Sequence, residues 1–401
     1  MRQFRVGLDI GGLATQKQWT GIQRYTIALA ASLTKLAEQE QSFSLYLYST
    51  SRLPAQSDLS AESMYLLRAS SHVHWRIAPF VRAWRRVGMG AAVWADRLDV
   101  IHFPAPSMAY FCPVPSVVTF HDLAAMSLNG NITAKEAEYL PEALDAGRRA
   151  TKLIAVSCSA RDEVIQHLGR SDVTVTWEGV NSDTFHPAPT NEVEALKKQY
   201  GLDRYILCIG TLQRRKNHLR LMQAFERIQD VVPHTLVLAG RDGSGAEDIR
   251  SYLQEHPNAR IKLLGTISDD ILPTLYSGAD VLVWVSLWEG FGLPVLEAMS
   301  CGVPVITSNV SSMPEIADGA AALVDPEDVE SIAQTMRTIL SNQTQRDEMI
   351  KAGYERAKMF AWEKTAERTL TVYQEAAQAQ PQTQIDRRRA RSSEAESPRS
   401  N

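Results

Sequence analysis

Short, β-branched apolar runs alternate along this chain with longer stretches whose apolar residues recur at helical spacing. An apolar run bounded by glycine or polar residues reads as a strand buried on both faces. Parallel strands need a crossover between them, and helical crossovers cover both faces of the sheet. Residues 5–10 (RVGLDI), 43–48, 73–77, 100–103, 116–120, 152–156 and 173–176 form one such set. After a stretch at 181–190 carrying Pro187 and Pro189, a second set occupies 205–209, 235–239, 261–264, 281–285, 303–307 and 322–324. The chain therefore reads as α/β, with two doubly wound, Rossmann-like sheets. Its 401 residues exceed what a single core usually serves, and 44% hydrophobic content is ample for two.

The helices expected between these strands include 21–37, 81–98, 134–149, 160–168, 218–229, 246–254, 271–277, 294–299, 329–341 and 344–358, with a last one at about 360–378. This sets an N-terminal domain at 1–185 and a C-terminal domain at 186–359. From 379 to 401 the chain is rich in Pro, Gln, Arg and Ser without apolar periodicity, and reads as a disordered tail. In doubly wound sheets, ligands gather at the carboxyl ends of the strands. The expected site is a cleft between the domains, closing by a hinge at 181–190 and near Met359.

The most specific string is WEGFGLPVLEAMSCGVP, residues 288–304. It follows the strand at 281–285, breaks into a Gly-Phe-Gly loop and enters a helix at Pro294, whose fixed φ and missing N–H suit a first turn. Glu289 falls on the loop and Glu297 in the helix's first turn. Gly290 and Gly292 let backbone N–H groups approach a ligand, and the helix N-terminus suits a phosphate. A glutamate in a first turn is also favourable for the dipole alone. A second string, CIGTLQRRKNH at 208–218, places Arg215 and Lys216 after a strand end, where they can reach phosphates, while Arg214 reads as solvent-facing. A third, VTFHDL at 118–123, delivers His121 and Asp122 to a strand's carboxyl end. Gly11, Gly12 and Gly21 surround the first strand–helix connection, where TGIQRY (20–25) opens a helix and Asp9 reads as a loop cap.

Together these strings resemble the retaining glycosyltransferases of the GT-B fold, and family 4 in particular. The segment 288–304 matches that family's E-x7-E signature, and GVPVITSNVSSMPEI (302–316) is similar to its continuation. The other strings resemble its G-T-L-x-x-R-K-N, T-G-I-x-R-Y and V-x-x-H-D segments, so the likeness covers nearly the whole chain. The resemblance implies transfer of a hexose from an NDP-sugar to a hydroxyl of a glycan or glycolipid, with the anomeric configuration kept. It implies that Glu289 bonds the hexose hydroxyls and Glu297 the ribose. Lys216 and Arg215 would hold the diphosphate, aided by the backbone of Phe291, Gly292 and Leu293 and by close approach at Gly12 and Gly21. The base would pack near 265–268. His121 would lie beside the transferred sugar and donate to one of its hydroxyls, and Asp122 would either orient His121 or touch the acceptor. The family is thought to react at the front face, where the departing phosphate takes the acceptor's proton. TGIQRY and the His-Asp pair lean toward mannosyl transfer from GDP-mannose. The last helix should cross back to the first domain. Many relatives have Asn-Gly-Val-Asp where this chain has Glu178-Gly-Val-Asn181, so a borrowed role for that segment does not carry over.

Other classes are disfavoured. A net charge of −4 argues against nucleic-acid binding. Cys112, Cys158, Cys208 and Cys301 are scattered, which suits reduced thiols in cytosol rather than a disulfide frame or zinc site. The N-terminus has no signal-peptide pattern and no apolar run is long enough to span a membrane, so a cytoplasmic place or the membrane's inner face is expected. No Asp-x-Asp occurs, so neither a metal nor a cofactor beyond the NDP-sugar is expected. The glycines of 240–245 lack dinucleotide-fingerprint spacing and read as a turn. The segment 81–98, with Arg82, Arg85, Arg86 and Arg97 among Trp84 and Trp94, is amphipathic enough for an anionic membrane, or is a plain surface helix. The run Arg387-Arg388-Arg389 reads as a solvated tail. A sugar-nucleotide epimerase or hydrolase of the same fold, or a non-catalytic nucleotide-binding scaffold, remain as rival functions.

Overall fold

The computed structural model describes residues 2–13, 21–50, 67–78, 84–123, 126 and 134–379. Thr20, Arg82 and the run at 387–389 lie outside the described residues. Seven parallel strands form the first sheet: β1 (Phe4–Asp9), β2 (Phe43–Ser49), β3 (Val73–Ile77), β4 (Val100–Phe103), β5 (Ser116–Phe120), β6 (Lys152–Ala155) and β7 (Val173–Val175). Their order is 3-2-1-4-5-6-7. The second sheet holds β8 (Tyr205–Ile209), β9 (Thr235–Ala239), β10 (Ile261–Gly265), β11 (Val281–Trp284), β12 (Val305–Ser308) and β13 (Ala322–Val324), in the order 10-9-8-11-12-13. Each order reverses beside its first strand, between β1 and β4 and between β8 and β11. A crevice opens at such a reversal, because the flanking connections leave to opposite faces.

The central strands are apolar on both faces, and Leu8, Val100, Val117, Leu207, Leu282 and Val305 are fully buried. Helix Cys158–Leu168 starts where the Ser157 hydroxyl accepts from the Ala160 N–H at 3.0 Å, and it stops at Gly169 with φ +65°. The continuous helix expected at 81–98 is instead a π-helical turn, Trp84–Gly88, followed by helix Met89–Ala95. Gly88 and Gly90 fall at that junction, and glycine lowers the preference for a regular helix.

The final helix, Trp362–Gln378, lies against the first domain. His102 Nδ1 stands 2.7 Å from the Tyr373 hydroxyl, and Lys35 and Lys152 pair with Glu363 and Glu375, each at 3.1 Å. The segment after β7 is fastened beside it, with the Val180 N–H donating to Phe360 O at 2.9 Å. Polar contacts also cross between the domains. Ser157 donates to Gly290 O at 2.6 Å, and the Cys158 N–H donates to the Glu315 carboxylate at 2.8 Å. The Trp177 indole N–H donates to the same carboxylate at 2.5 Å.

Candidate active site

The site assembles where strand ends of the two sheets meet. Glu289 follows β11 and is buried between two cations. Lys216 Nζ lies 2.5 Å from its Oε1 and Arg215 NH1 lies 3.1 Å from its Oε2. Both cations come from the turn Arg214–Lys216 after β8, beside β11 in the sheet. Arg215 also donates to Trp288 O at 3.0 Å, while Lys216 sits over the Trp284 ring at 4.6 Å. The loop is braced from behind by serines: Ser311 accepts from the Glu289 N–H at 3.1 Å, and Ser312 donates to Glu289 O at 2.9 Å. Burial alone would push the Glu289 carboxyl up, but Lys216 and Arg215 outweigh it and hold it below the ordinary carboxylate range. Burial, joined by the like charge of Arg215, pulls the Lys216 ammonium down to about 8.

Glu297 belongs to helix Leu293–Ser300, in its second turn rather than the first. The helix begins one residue earlier than Pro294, so the dipole does not account for this carboxylate. Instead Glu297 is buried, accepts from the Tyr276 hydroxyl at 2.7 Å and has Arg24 of the first domain 3.9 Å away. Burial raises its pKa, against the pull of Arg24. Arg24 also pairs with Asp269, just beyond the 265–268 stretch expected to face the base.

Across the cleft stands His121. Its Nδ1 is 3.1 Å from Glu178 Oε1 and its Nε2 is 2.9 Å from Pro104 O. The ring as placed therefore has both nitrogens engaged, and a sugar hydroxyl would have to displace one partner. A bond to Glu178 orients the ring. A Cβ built on Gly290 would stand 1.9 Å from the His121 carbonyl oxygen, so the two domains touch through a position only glycine fits. Gly292 has φ +128° and faces Met313, which accounts for glycine there without a ligand. Phe291 is buried and Leu293 partly so. Gly12 lies in the turn Gly11–Leu13 and Gly21 opens helix Gly21–Glu40, and a Cβ on either would meet nothing within 4 Å. The Gly11 N–H donates to the Asp9 carboxylate at 2.9 Å, as expected of a loop cap. Arg214 is exposed and pairs with Asp248 at 2.8 Å. A cavity of about 510 Å³ lies against Arg214, His218, Arg220, Asp248 and Glu327 rather than against Glu289, and its cations are paired with its own carboxylates.

Four contributors lay outside the sequence reading: Arg24, Glu178, Tyr276 and Glu315. Arg24 sat inside TGIQRY and Glu315 inside the string 302–316, while Glu178 and Tyr276 lay in no such motif. Among the described residues, no group of three or more His, Cys, Asp or Glu side chains is placed to hold a metal ion. No described helix is long and apolar enough to cross a membrane.

A buried carboxylate between two cations lies in the cleft between two doubly wound domains, the two-domain arrangement of the GT-B fold. Known proteins agree. Residues 19–184 match the model of Glycosyltransferase Family 4, and residues 192–356 match that of Glycosyl transferases group 1. The chain is 31% identical over 374 residues to the O-antigen chain mannosyltransferase B of Escherichia coli, covering 88% of this chain and 96% of that protein. Among solved structures it resembles sucrose-phosphate synthase from Thermosynechococcus elongatus, with a TM-score of 0.72, 22% identity and coverage of 93% of this chain and 99% of that one. It also resembles the Anabaena protein HepE solved with UDP-glucose, with a TM-score of 0.70, 18% identity and coverage of 93% and 100%. The chain belongs to glycosyltransferase family 4, and it is a glycosyltransferase.

Proposed function

We propose that this glycosyltransferase moves mannose from GDP-mannose to a hydroxyl of a growing glycan or lipid-linked glycan and retains the anomeric configuration. The observation that carries the reading is Glu289 locked between Lys216 and Arg215 in a buried cleft. The two cations take the diphosphate, Glu289 accepts from sugar hydroxyls, and Glu297 accepts from the ribose. Backbone N–H groups of Phe291, Gly292 and Leu293 complete the phosphate cradle, and Gly12 and Gly21 leave room on the opposite wall. The bond from C1 to the phosphate oxygen breaks with its electron pair on phosphate. A bond to the acceptor oxygen forms on the same face, and the acceptor's proton passes to that phosphate oxygen. Fixed cations at the leaving group lower the barrier because they are aimed where charge develops. They also supply the countercharge a metal would otherwise bring, so the reaction is assigned without one.

The 31% identity to a mannosyltransferase supports the sugar. The domains divide near 185, with the final helix returning to the first, and the 181–190 segment serves as the hinge. Val87, Trp94, Tyr110 and Phe111 expose large apolar surface beside Arg85 and Arg86, and Phe111 packs on Gly90 between Val87 and Trp94. This patch supports peripheral contact with an anionic membrane at the inner face, where a lipid-linked acceptor would lie.

A thermal-shift screen of nucleotides and NDP-sugars tests the donor, and NMR of the product tests the anomer. Stabilisation by guanosine nucleotides and an α-linked product from GDP-mannose are expected. Rapid release of free nucleotide without acceptor would favour the hydrolase or epimerase reading. A shift with NAD alone would sink both.

A further inference from the structure

Glu178 lies outside every motif that carries the family likeness, and 178–181 is where this chain departs from the common pattern. Its side chain is 5% exposed. Burial on that scale disfavours a carboxylate unless it is paired. The partner is His121, 3.1 Å away through Nδ1, while Nε2 faces the Pro104 carbonyl at 2.9 Å. Both partners are acceptors, and only the doubly protonated ring donates to both.

The ring is faced by Glu178, by Asp122, by Tyr25 in an edge-to-face pair with ring centroids 4.8 Å apart, and by His102. Burial drives His102 to about 3, so it stays neutral and does not compete for the proton. For His121, burial pulls downward, but the Glu178 bond and charge outweigh it and leave the ring above its ordinary value.

The backbone around Glu178 is fixed on both sides. Thr365 donates to Trp177 O at 2.7 Å, and Val180 N–H bonds to Phe360 O. Gly179 is pressed against Trp362, where a Cβ would stand 2.5 Å from the backbone nitrogen. The Trp177 indole meanwhile reaches Glu315 of the second domain. On its other side, the His121 carbonyl abuts Gly290, next to Glu289. We propose that Glu178 is a positioning residue of the transfer reaction: it locks the His121 ring as a cation in one orientation on the cleft wall, through a strap that also feels domain closure. So held, His121 is no proton acceptor. The inference rests on the cleft being the transferase site.

Glu178→Gln keeps the size and removes the charge. In the ligand-free protein, the His121 ring titration followed by NMR should move to lower pH. The kcat of transfer should fall about tenfold or more, with its alkaline limb moved the same way, while the donor KM stays within about twofold. Glu178→Asp should recover part of the loss, and circular dichroism should show the fold intact. An unmoved titration, or a moved titration with unchanged kcat, overturns the proposal. Should the Gln variant not fold, the wild-type protein decides alone: a neutral His121 ring at pH 7 would overturn it. A wild type that transfers no sugar at all strikes the reading of the cleft instead, and would be seen before any variant is made.

Discussion

Gly290 offers the sharpest test of whether the two domains must meet for turnover. A methyl group there would stand 1.9 Å from the His121 carbonyl oxygen and 2.8 Å from its carbon. Ordinary contact begins at 3.4 Å, so the two backbones must part by about 1.5 Å along that line. Neither side yields locally. Gly290 O accepts from Ser157 at 2.6 Å, and the neighbouring Glu289 is clamped by Lys216 and Arg215. On the other side, the His121 ring is bonded at both nitrogens. The strain is relieved by opening the cleft. A misplacement of about 1 Å can cost roughly 10²-fold in rate. Gly290→Ala is therefore expected to lower kcat by about 10²-fold or more. Affinity for a nucleoside diphosphate, held by second-domain groups, should change by less than about threefold. Calorimetry reads the affinity, product chromatography reads the rate, and small-angle scattering reads the opening. Gly12→Ala is the control: its methyl group meets no protein within 4 Å, so any loss there should appear in the donor KM without any opening. If Gly290→Ala transfers sugar within about threefold of wild type and stays equally compact, the argument from contact to closure fails.

Lys216 sets a pH limit. Its ammonium, drawn down to about 8 by burial and then by Arg215, is lost as pH rises, so diphosphate affinity measured by calorimetry should fall above about pH 8. The unfolded chain keeps that proton to about 10.4, so this group's stability contribution is full above that value and is lost as pH falls through about 8. Lys216→Arg should remove the alkaline loss of affinity. Glu289→Gln should reduce turnover by about 10²-fold or more with little change in nucleotide affinity, whereas Glu297→Ala should weaken nucleotide affinity first. Titration and rate assays showing the reverse would exchange the two roles. Trp94→Glu combined with Phe111→Ser should cut sedimentation with anionic vesicles by about tenfold and leave turnover on a soluble acceptor unchanged.

Much of this was legible because it followed from burial and strand ends. Strands such as Val281–Trp284 are apolar on both faces, so their parallel pairing could be read before any coordinates. Lys216 and Glu289 are 73 positions apart, yet both could be assigned to the cleft, because each follows a strand end and the family resemblance implies a donor-binding role for each. Sequence spacing failed where a side chain's partner is remote along the chain, within one domain or across to the other. Glu178 belongs to His121, and Arg24 reaches Glu297 and Asp269, through contacts no periodicity encodes. Tyr276 lies 21 positions before Glu297, on another helix, in no motif that points to the cleft. Glu297, read in the first helical turn and given the ribose by resemblance, sits in the second turn against a tyrosine and an arginine.

The two glutamates of the signature are alike in sequence and opposite in electrostatics, and on the proposed reading that difference would orient the donor. Around Glu289 two cations face one carboxylate, and that end carries spare positive charge. Around Glu297 the balance reverses, with Arg24 shared between Glu297 and Asp269. A diphosphate is drawn to the first end, where its charge is met. Hydroxyl groups, which bring hydrogens to donate but no charge, suit the second. Burial sharpens the contrast, because it raises the Glu297 pKa while the cations keep Glu289 ionised. On that reading, a donor entering the cleft the other way round would set its phosphates against the buried Glu297 carboxylate, where like charges repel by about 4 kcal/mol for unit charges at 4 Å and moderate dielectric. The same pattern explains why Lys216 and Glu289 tolerate such close burial: each is the other's partner until a phosphate arrives, and the loop serines hold the carboxylate's backbone still while the ammonium changes partner.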